Sequence, residues 1–401
     1  MKVKREEALD IVLNNVYSCG WEYVKLDNAY GRVLAEDVVS PVNVPDVNKS
    51  AVDGYGFKVS SLKELPAKLK IVGEVQAGDI GKFEVKEGEA VFVMTGGAVP
   101  DGVDAVVRVE DVSVEGNEVV VVDFPVKKGE LVNFVGSEIK KGEVVLTLGE
   151  WLDYRKVGLL AGVGVYKVKV FRKPVVGIAT TGNEVLEAYE PHRTGCVRNV
   201  NYYVLQGLLS EAGAVPINLG NLEDDLDLTV KKLEEAFDHV DVLVTTGGVS
   251  KGKYDFVKKA VELLGFDVKF TSTNIRPGRP LVFAVKGKKV FFGLPGYPSA
   301  TLVNAVEFLL PAVRKMAGER QCENVYYEFE AGEGIRGKKG RVDFVRVNVK
   351  GNKVYNAGSQ QTANFYTIAT CDGLAVIGED RGTVETGEKV NVLLFCNRSG
   401  L

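Results

Sequence analysis

Histidine is almost absent from this 401-residue chain, which has two. Five cysteines stand at 19, 196, 322, 371 and 396, and no pair is spaced C-x-x-C. A finger-type zinc site needs clustered Cys and His ligands, so that class is excluded. Scattered cysteines in odd number also give no disulfide framework and fit a reducing cytoplasm. No membrane-length apolar run exists. The most apolar stretch, 290–313, is broken by Gly293, Pro295, Gly296, Pro298 and Glu307, and reads as strand, loop and buried helix. The N-terminus, MKVKREEALD, carries charges where a signal peptide needs an apolar core. Nor does one sign of charge dominate: 50 Lys and Arg face 54 Asp and Glu, a net charge of −4. That balance gives no support for a nucleic-acid partner.

Glycine, by contrast, is abundant, at 45 residues, which implies many turns and close backbone approaches. The chain is too long for one ordinary core and predicts several domains. Apolar residues at 8, 11, 12 and 16 predict a short amphipathic helix. From 27 to 139, valine-rich runs such as KLKIVGEV and EAVFVMTGG alternate with Gly, Pro and Asp, a β-rich texture. Residues 140–172 are mixed, with a helix near 154–160. Between 173 and 318 strands and helices alternate regularly, which predicts a mostly parallel sheet covered on both faces. From 319 to 401 the pattern is β again, a small barrel or sandwich. The texture thus changes near residues 27, 140, 173 and 319, which sets off 1–26, 27–139, 140–172, 173–318 and 319–401.

Ligands of open α/β sheets bind at the carboxyl ends of the strands. Two such ends carry related turns, ATTGNEV and VTTGGVS, and should face one crevice. A strand, a glycine turn and a helix can hold an anion on exposed backbone N–H groups. VTTGGVSKGKYD has neither the phosphate-loop nor the dinucleotide spacing, so it specifies only an anion of phosphate size. The same rim is expected to carry Glu184, Asp224, Asp255, Gly247, Gly248 and Ser250. It should also carry Arg276 and Arg279 of IRPGRP, and Pro295 and Pro298 of GLPGYPS. Grouped carboxylates suit a hard divalent cation such as Mg²⁺. Arginines suit an oxyanion. Taken singly, Asp255 and Asp224 could be helix caps, and the proline loops plain turns. A second set, Asp53 in SAVDGYGF, Thr95 in VMTGG and Glu138 in GSEI, lies in the β-rich region. Asp53-Gly54 alone could be a hairpin turn.

SAVDGYGF, VMTGGAVPDGVDAVV, GSEIKKGEVV, ATTGNEV, NLGNLEDD, VTTGGVSKGKYD, IRPGRP, GLPGYPSA and GEDRG occur in an order that resembles the molybdopterin molybdenumtransferase (MoeA) family, which includes the gephyrin E domain. The resemblance spans essentially the whole chain. It implies insertion of molybdate or tungstate into adenylylated molybdopterin, with release of AMP and help from a divalent cation. The fold it implies is α/β plus β: a central MogA/MoaB-like pterin-binding domain, a β-rich N-terminal domain, a C-terminal β-barrel, and a linker that supports a homodimer. The active cleft would be completed by the second subunit. By motif, catalytic and metal-binding roles fall on Asp53, Thr95, Glu138, Glu184 and Asp255, and substrate contacts on Asp224, Arg276, Arg279, Pro295 and Pro298. Arg341 of GRVDF would meet the oxyanion, with a hydroxyl from Thr362. The chain departs from the usual pattern at Glu138, at the two arginines where lysine is common, at Thr362, and at Tyr297 in place of asparagine. Two other functions use related parts: a molybdopterin adenylyltransferase, which would consume ATP, and a gephyrin-like scaffold.

Overall fold

The computed structural model describes residues 2–80, 84–116, 118–223, 225–248 and 256–395. Its centre is a seven-stranded sheet in the order Lys2–Val3, Asp267–Thr273, Pro280–Lys286, Lys289–Leu294, Val242–Thr246, Val175–Thr181, Val215–Leu222. The last four strands run parallel. Pro280–Lys286 is antiparallel to both its neighbours. Side chains alternate across the sheet: Val242, Val244 and Phe292 enter one core, Leu243 and Phe291 the other. Helices Val200–Glu211 and Pro298–Asn304 cover the first face, and Leu226–Phe237 and Phe256–Leu263 the second. Two covered faces explain why these strands read as continuous apolar runs.

The strand Asp267–Thr273 was not evident in the sequence. Its run FDVKFTST is polar because only part of it is buried, near the sheet edge. The two-residue strand Lys2–Val3 pairs parallel with it. Residues 2–16 thus pack on the α/β sheet, with Val3, Ala8, Val12 and Val16 in its core.

The helix expected across 298–318 is interrupted. Pro311 has no N–H to give to the helix ladder, and the segment before it, Ala305–Leu309, opens into a π-helical turn. Glu307 lies in that turn, 1% exposed. It accepts hydrogen bonds from Arg5 Nε at 2.7 Å and from the Tyr326 hydroxyl at 2.6 Å. Arg5 also donates to the Tyr326 hydroxyl, so the N-terminal helix, the π turn and the entry to the C-terminal domain share one buried network.

That C-terminal domain is a closed barrel. Val342–Lys350 pairs with Lys353–Asn356, which leads through Tyr327–Ala331, Lys389–Leu394 and Gly373–Ile377 back to Val342–Lys350. The N-terminal region holds a six-stranded sheet from Ala105–Arg108 to Ser113–Glu115. Two further pairings, Trp21–Lys25 with Lys167–Phe171 and Val38–Val39 with Val144–Leu146, link distant stretches of the chain.

In the six-stranded sheet Asp53 leads into the strand Gly54–Phe57 and does not form a hairpin turn. Gly54 is required by crowding: a Cβ there would lie 2.0 Å from the Val107 carbonyl oxygen. The Asp53 carboxylate accepts the Thr95 backbone N–H at 2.6 Å and its hydroxyl at 2.8 Å, which joins the VDGYG and MTGG motifs.

Two outcomes follow. Glu307→Ala leaves the mostly buried Arg5 with only the exposed Glu6 as counter-ion and should cost up to about 3 kcal/mol, read as a lower melting temperature; an unchanged melt would contradict the network. The two Thr95 hydrogen bonds, the backbone one foremost, hold the Asp53 carboxyl below the usual carboxylate range. A depressed folded-state value favours the fold above the unfolded pKa and is lost as pH falls through the folded one. Thr95→Val, which deletes only the hydroxyl donor, should move the Asp53 titration upward by NMR. No movement would contradict the hydroxyl contribution.

Candidate active site

The strand ends Thr180–Thr181 and Thr246 are neighbours in register, Thr180 opposite Thr246. Both TTG turns therefore open on one crevice. Gly247 and Gly248 have φ of 90° and 64°, a region that suits glycine. A Cβ on Gly247 would lie 2.4 Å from Thr181 Oγ1. The turn is pinned by the Gly247 N–H, which donates to the Leu294 carbonyl at 2.9 Å.

The proline loop 295–298 lies over this turn. Asn201, at the start of its helix, donates to the Gly296 carbonyl at 2.8 Å. Thr301 donates to the Pro295 carbonyl at 2.5 Å. Asn304, fully buried, donates to the carbonyls of Gly278 and Ala300, both at 2.9 Å. One helix, Pro298–Asn304, thereby positions both the proline loop and IRPGRP.

The barrel supplies the opposite wall. Ile275–Arg276 pairs parallel with Val342–Asp343, and the Val342 N–H donates to the Asn274 carbonyl at 3.0 Å. Asn274 also accepts the Arg5 N–H at 2.8 Å and donates to Glu379 at 2.8 Å. Arg341 follows from this pairing. Its Nε donates to Asp343 Oδ2 at 3.0 Å, and the Lys338 N–H donates to the same oxygen at 2.8 Å.

Between these walls lies a cavity of about 1250 Å³. It gathers Glu184, Gly247, Gly248, Arg276, Arg279, Pro295, Pro298, Arg341 and Thr362. Asp53, Thr95 and Glu138 are exposed and lie outside it. Asp224, Ser250 and Asp255 lie outside the described residues. The sequence reading missed Lys2, Arg198, Lys338 and Lys339, which also line the cavity. GKKG just before GRVDF was the available signal for the last two. With Arg276, Arg279 and Arg341 these make seven cationic side chains. Glu184 is the only carboxylate residue among the described lining residues, and its carboxylate folds back over Gly182. Tyr297 and Phe365, 63% and 57% exposed, present aromatic rings to the same space. The combination suits a flat ring system that carries several negative charges.

Among the described residues no three His, Cys, Asp or Glu side chains converge. One carboxylate beside a cationic pocket does fit a cation of the Mg²⁺ kind, which takes one or two carboxylates and completes its shell with water and substrate phosphates. Among the described residues no helix is long and apolar enough to cross a membrane.

Three family models match in succession: the MoeA N-terminal region (domain I and II) over residues 3–164, "Probable molybdopterin binding domain" over 177–315, and the MoeA C-terminal region (domain IV) over 328–395. The chain is 32% identical to a molybdopterin molybdenumtransferase of Haemophilus influenzae, over 94% of this chain and 95% of that one. It is 31% identical to one of Bacillus subtilis, over 94% and 91%. The molybdopterin biosynthesis MoeA protein of Pyrococcus horikoshii superimposes with a TM-score of 0.86 at 31% identity, covering 98% of this chain and all of that one. The central α/β domain between a β-rich N-terminal region and a C-terminal barrel, the two TTG turns on one cavity and these end-to-end matches place the chain in the molybdopterin molybdenumtransferase (MoeA) family.

Proposed function

We propose that the protein is a molybdopterin molybdenumtransferase, which inserts molybdate-derived metal into adenylylated molybdopterin and releases AMP. The observation that carries this reading is the cavity's seven cations against a single described carboxylate. A dianionic oxyanion together with a pterin nucleotide supplies the missing negative charge.

Arg341 and the Thr362 hydroxyl hold the molybdate, with Arg276 or Arg279 as a further donor. Asp343 fixes the Arg341 side chain through Nε, so the remaining guanidinium N–H groups are left for the oxyanion. The backbone of the Gly247–Gly248 turn and Ser250 meet a phosphate, while Arg276 and Arg279 approach it from the barrel side. Pro295 and Pro298 shape the loop against which the ring system lies, and Tyr297 and Phe365 offer it apolar faces. Glu184 is the described acidic residue of the cavity, and by motif Asp224 and Asp255 share its role. They would hold a divalent cation such as Mg²⁺, which when bound neutralises the carboxylates and polarises the phosphoryl oxygen of the leaving AMP.

Asp53, Thr95 and Glu138 belong to this site if a second copy of the chain brings them there. Their exposure, with Asp53 kept ionised by Thr95, supports that reading. The domain division we favour is 1–26 with 140–172 as a linker and dimerisation unit, 27–139 as a β domain, 173–318 as the pterin-binding domain and 319–401 as the barrel. The five-residue pairing of Trp21–Lys25 with Lys167–Phe171 supports joining the two segments. Residues 2–16 add an anchor to the α/β sheet. A cytoplasmic location, and contact with other cofactor-biosynthesis proteins, accord with the substrate class.

The direct assay supplies adenylylated molybdopterin and follows AMP. AMP release that depends on molybdate supports the reading; consumption of ATP instead indicates an adenylyltransferase. Arg341→Ala should raise the molybdate requirement roughly ten- to over a hundredfold, from loss of one charged hydrogen bond worth about 1.5–3 kcal/mol. Affinity for the pterin nucleotide should stay near the parent's; an equal fall in both would remove Arg341 from the oxyanion. The shared site is read by mixing Asp53→Ala with Glu184→Ala subunits. In a two-fold dimer about half the sites of each mixed dimer then escape both lesions. Activity should return, and its absence after proven exchange would contradict sharing.

A further inference from the structure

Three lysines, Lys2, Lys338 and Lys339, line the cavity, and all three are exposed. They reach it from distant parts of the chain. Lys2 comes on the strand Lys2–Val3, which pairs Lys2 with Ser272 and Val3 with Thr273. Val3 enters the core, so the alternation of a strand turns Lys2 away from it. Lys338 and Lys339 come on the turn before Arg341. The backbone of that turn is fixed: the Lys338 N–H donates to Asp343 Oδ2 at 2.8 Å, and the Gly340 N–H to the Glu379 carbonyl at 2.7 Å. Gly340 has a φ of 86°, which a glycine adopts without strain. Neither lysine side chain takes part in this bonding.

Both segments meet at Glu379. Its carbonyl holds Gly340, and its carboxylate is taken by Lys4 and by the Asn274 amide. Asp343, the other acid of this corner, is taken by Arg341 and by the Lys338 N–H. Lys4 is thus neutralised and Arg341 partly so. Lys2, Lys338 and Lys339 have no ion pair and no side-chain hydrogen bond among the described residues. Three unneutralised charges stay together at the edge of the cavity.

Their value follows from the charge of the whole chain. A net charge of −4 repels an anionic ligand at long range. A local cluster of cations prevails only within about a Debye length, about 8 Å at physiological ionic strength. Lysine suits that task, because it carries a compact charge outward on a flexible stem and fixes no geometry. Arg341 and Arg198 differ, since each is oriented by a hydrogen bond to the scaffold. We propose that Lys2, Lys338 and Lys339 form a capture collar at the barrel-side mouth of the cavity. The collar attracts the multiply charged anionic substrate and passes it to the arginines, so that it sets the rate of entry and not the lifetime of the complex. The inference rests on the reading that an anionic pterin nucleotide is the ligand of this cavity.

The test separates arrival from departure. Stopped-flow mixing with adenylylated molybdopterin, followed by the pterin's own fluorescence, gives both rate constants. It is run at about 10 mM and about 1 M ionic strength, where the Debye length is about 30 Å and about 3 Å. The triple variant Lys2→Gln, Lys338→Gln, Lys339→Gln keeps polar side chains and removes three charges. Its association at low salt should be about tenfold or more slower than the parent's, within the range that steering supplies. At high salt the two should converge to within about twofold. Dissociation rates should agree within about threefold. The triple variant Lys2→Arg, Lys338→Arg, Lys339→Arg keeps the charges and should associate within about twofold of the parent. Equal association of parent and glutamine variant at low salt overturns the inference. So does a loss carried by dissociation, which would make the lysines fixed contacts of the bound substrate. An arginine variant as slow as the glutamine variant also overturns it, because charge would then not be the cause. If the parent shows molybdate-dependent AMP release and the glutamine variant associates as fast, the collar alone falls. A parent that does not bind adenylylated molybdopterin removes both the collar and the transferase reading.

Discussion

The cavity depends on one short piece of backbone pairing. Ile275–Arg276 runs parallel to Val342–Asp343, and so attaches the barrel to the α/β sheet at the point where both basic motifs emerge. Two residue pairs would hold little by themselves, since isolated strand pairs are marginal in water. They persist because Asn274 is fixed from three sides. Its carbonyl accepts from Val342, its side-chain oxygen accepts from Arg5, and its amide donates to Glu379. The N-terminal helix, the sheet and the barrel therefore meet at one buried asparagine, next to Arg276. The separation of Arg276 and Arg279 from Arg341, 65 and 62 positions in sequence, disappears at this junction.

Electrostatics then explains why so many polar groups of the scaffold point away from the ligand space. Gathering seven cations around one cavity is unfavourable in the empty protein. The fold limits the repulsion by anchoring: Asp343 neutralises Arg341 in part, and Arg198 donates to the carbonyls of Glu187 and Glu190, both at 2.7 Å. What stays unbalanced is directed at the substrate. Buried amides and hydroxyls, Asn201, Thr301, Asn304 and Ser299, do the holding, because they can fix backbone carbonyls without adding charge. Preorganised donors of this kind need no rearrangement when a phosphate or an oxyanion arrives.

Much of this was legible in the sequence, and the failures have physical causes. Alternation of strand and helix between 175 and 316 was readable because both sheet faces are covered, which forces unbroken apolar runs such as VVGIATT and KVFFGL. The two TTG turns announced themselves by glycine at positions with positive φ. The strand Asp267–Thr273, second from the sheet edge, was not readable, since its partly buried position permits Lys, Thr and Ser. Lys2–Val3 was too short to carry any period. The π turn follows from Pro311 in hindsight, yet a helix with one internal proline can also simply kink. At the site, residues whose own chemistry binds anions were legible: Arg276, Arg279 and Arg341. Residues that act by holding loops, Asn201 and Asn304, were not, because their roles exist only after distant segments are brought together.

The central claim is that a molybdate-type oxyanion binds where the barrel meets the pterin-binding sheet. Tungstate is a close analogue with strong anomalous scattering, so a crystal soaked in it reads the location without any assumption about turnover. The account predicts an anomalous peak inside the cavity, within hydrogen-bonding distance of the Arg341 guanidinium and the Thr362 hydroxyl, and absent from crystals of Arg341→Ala. A peak confined to other surface cations, or one that persists unchanged in Arg341→Ala, would contradict it.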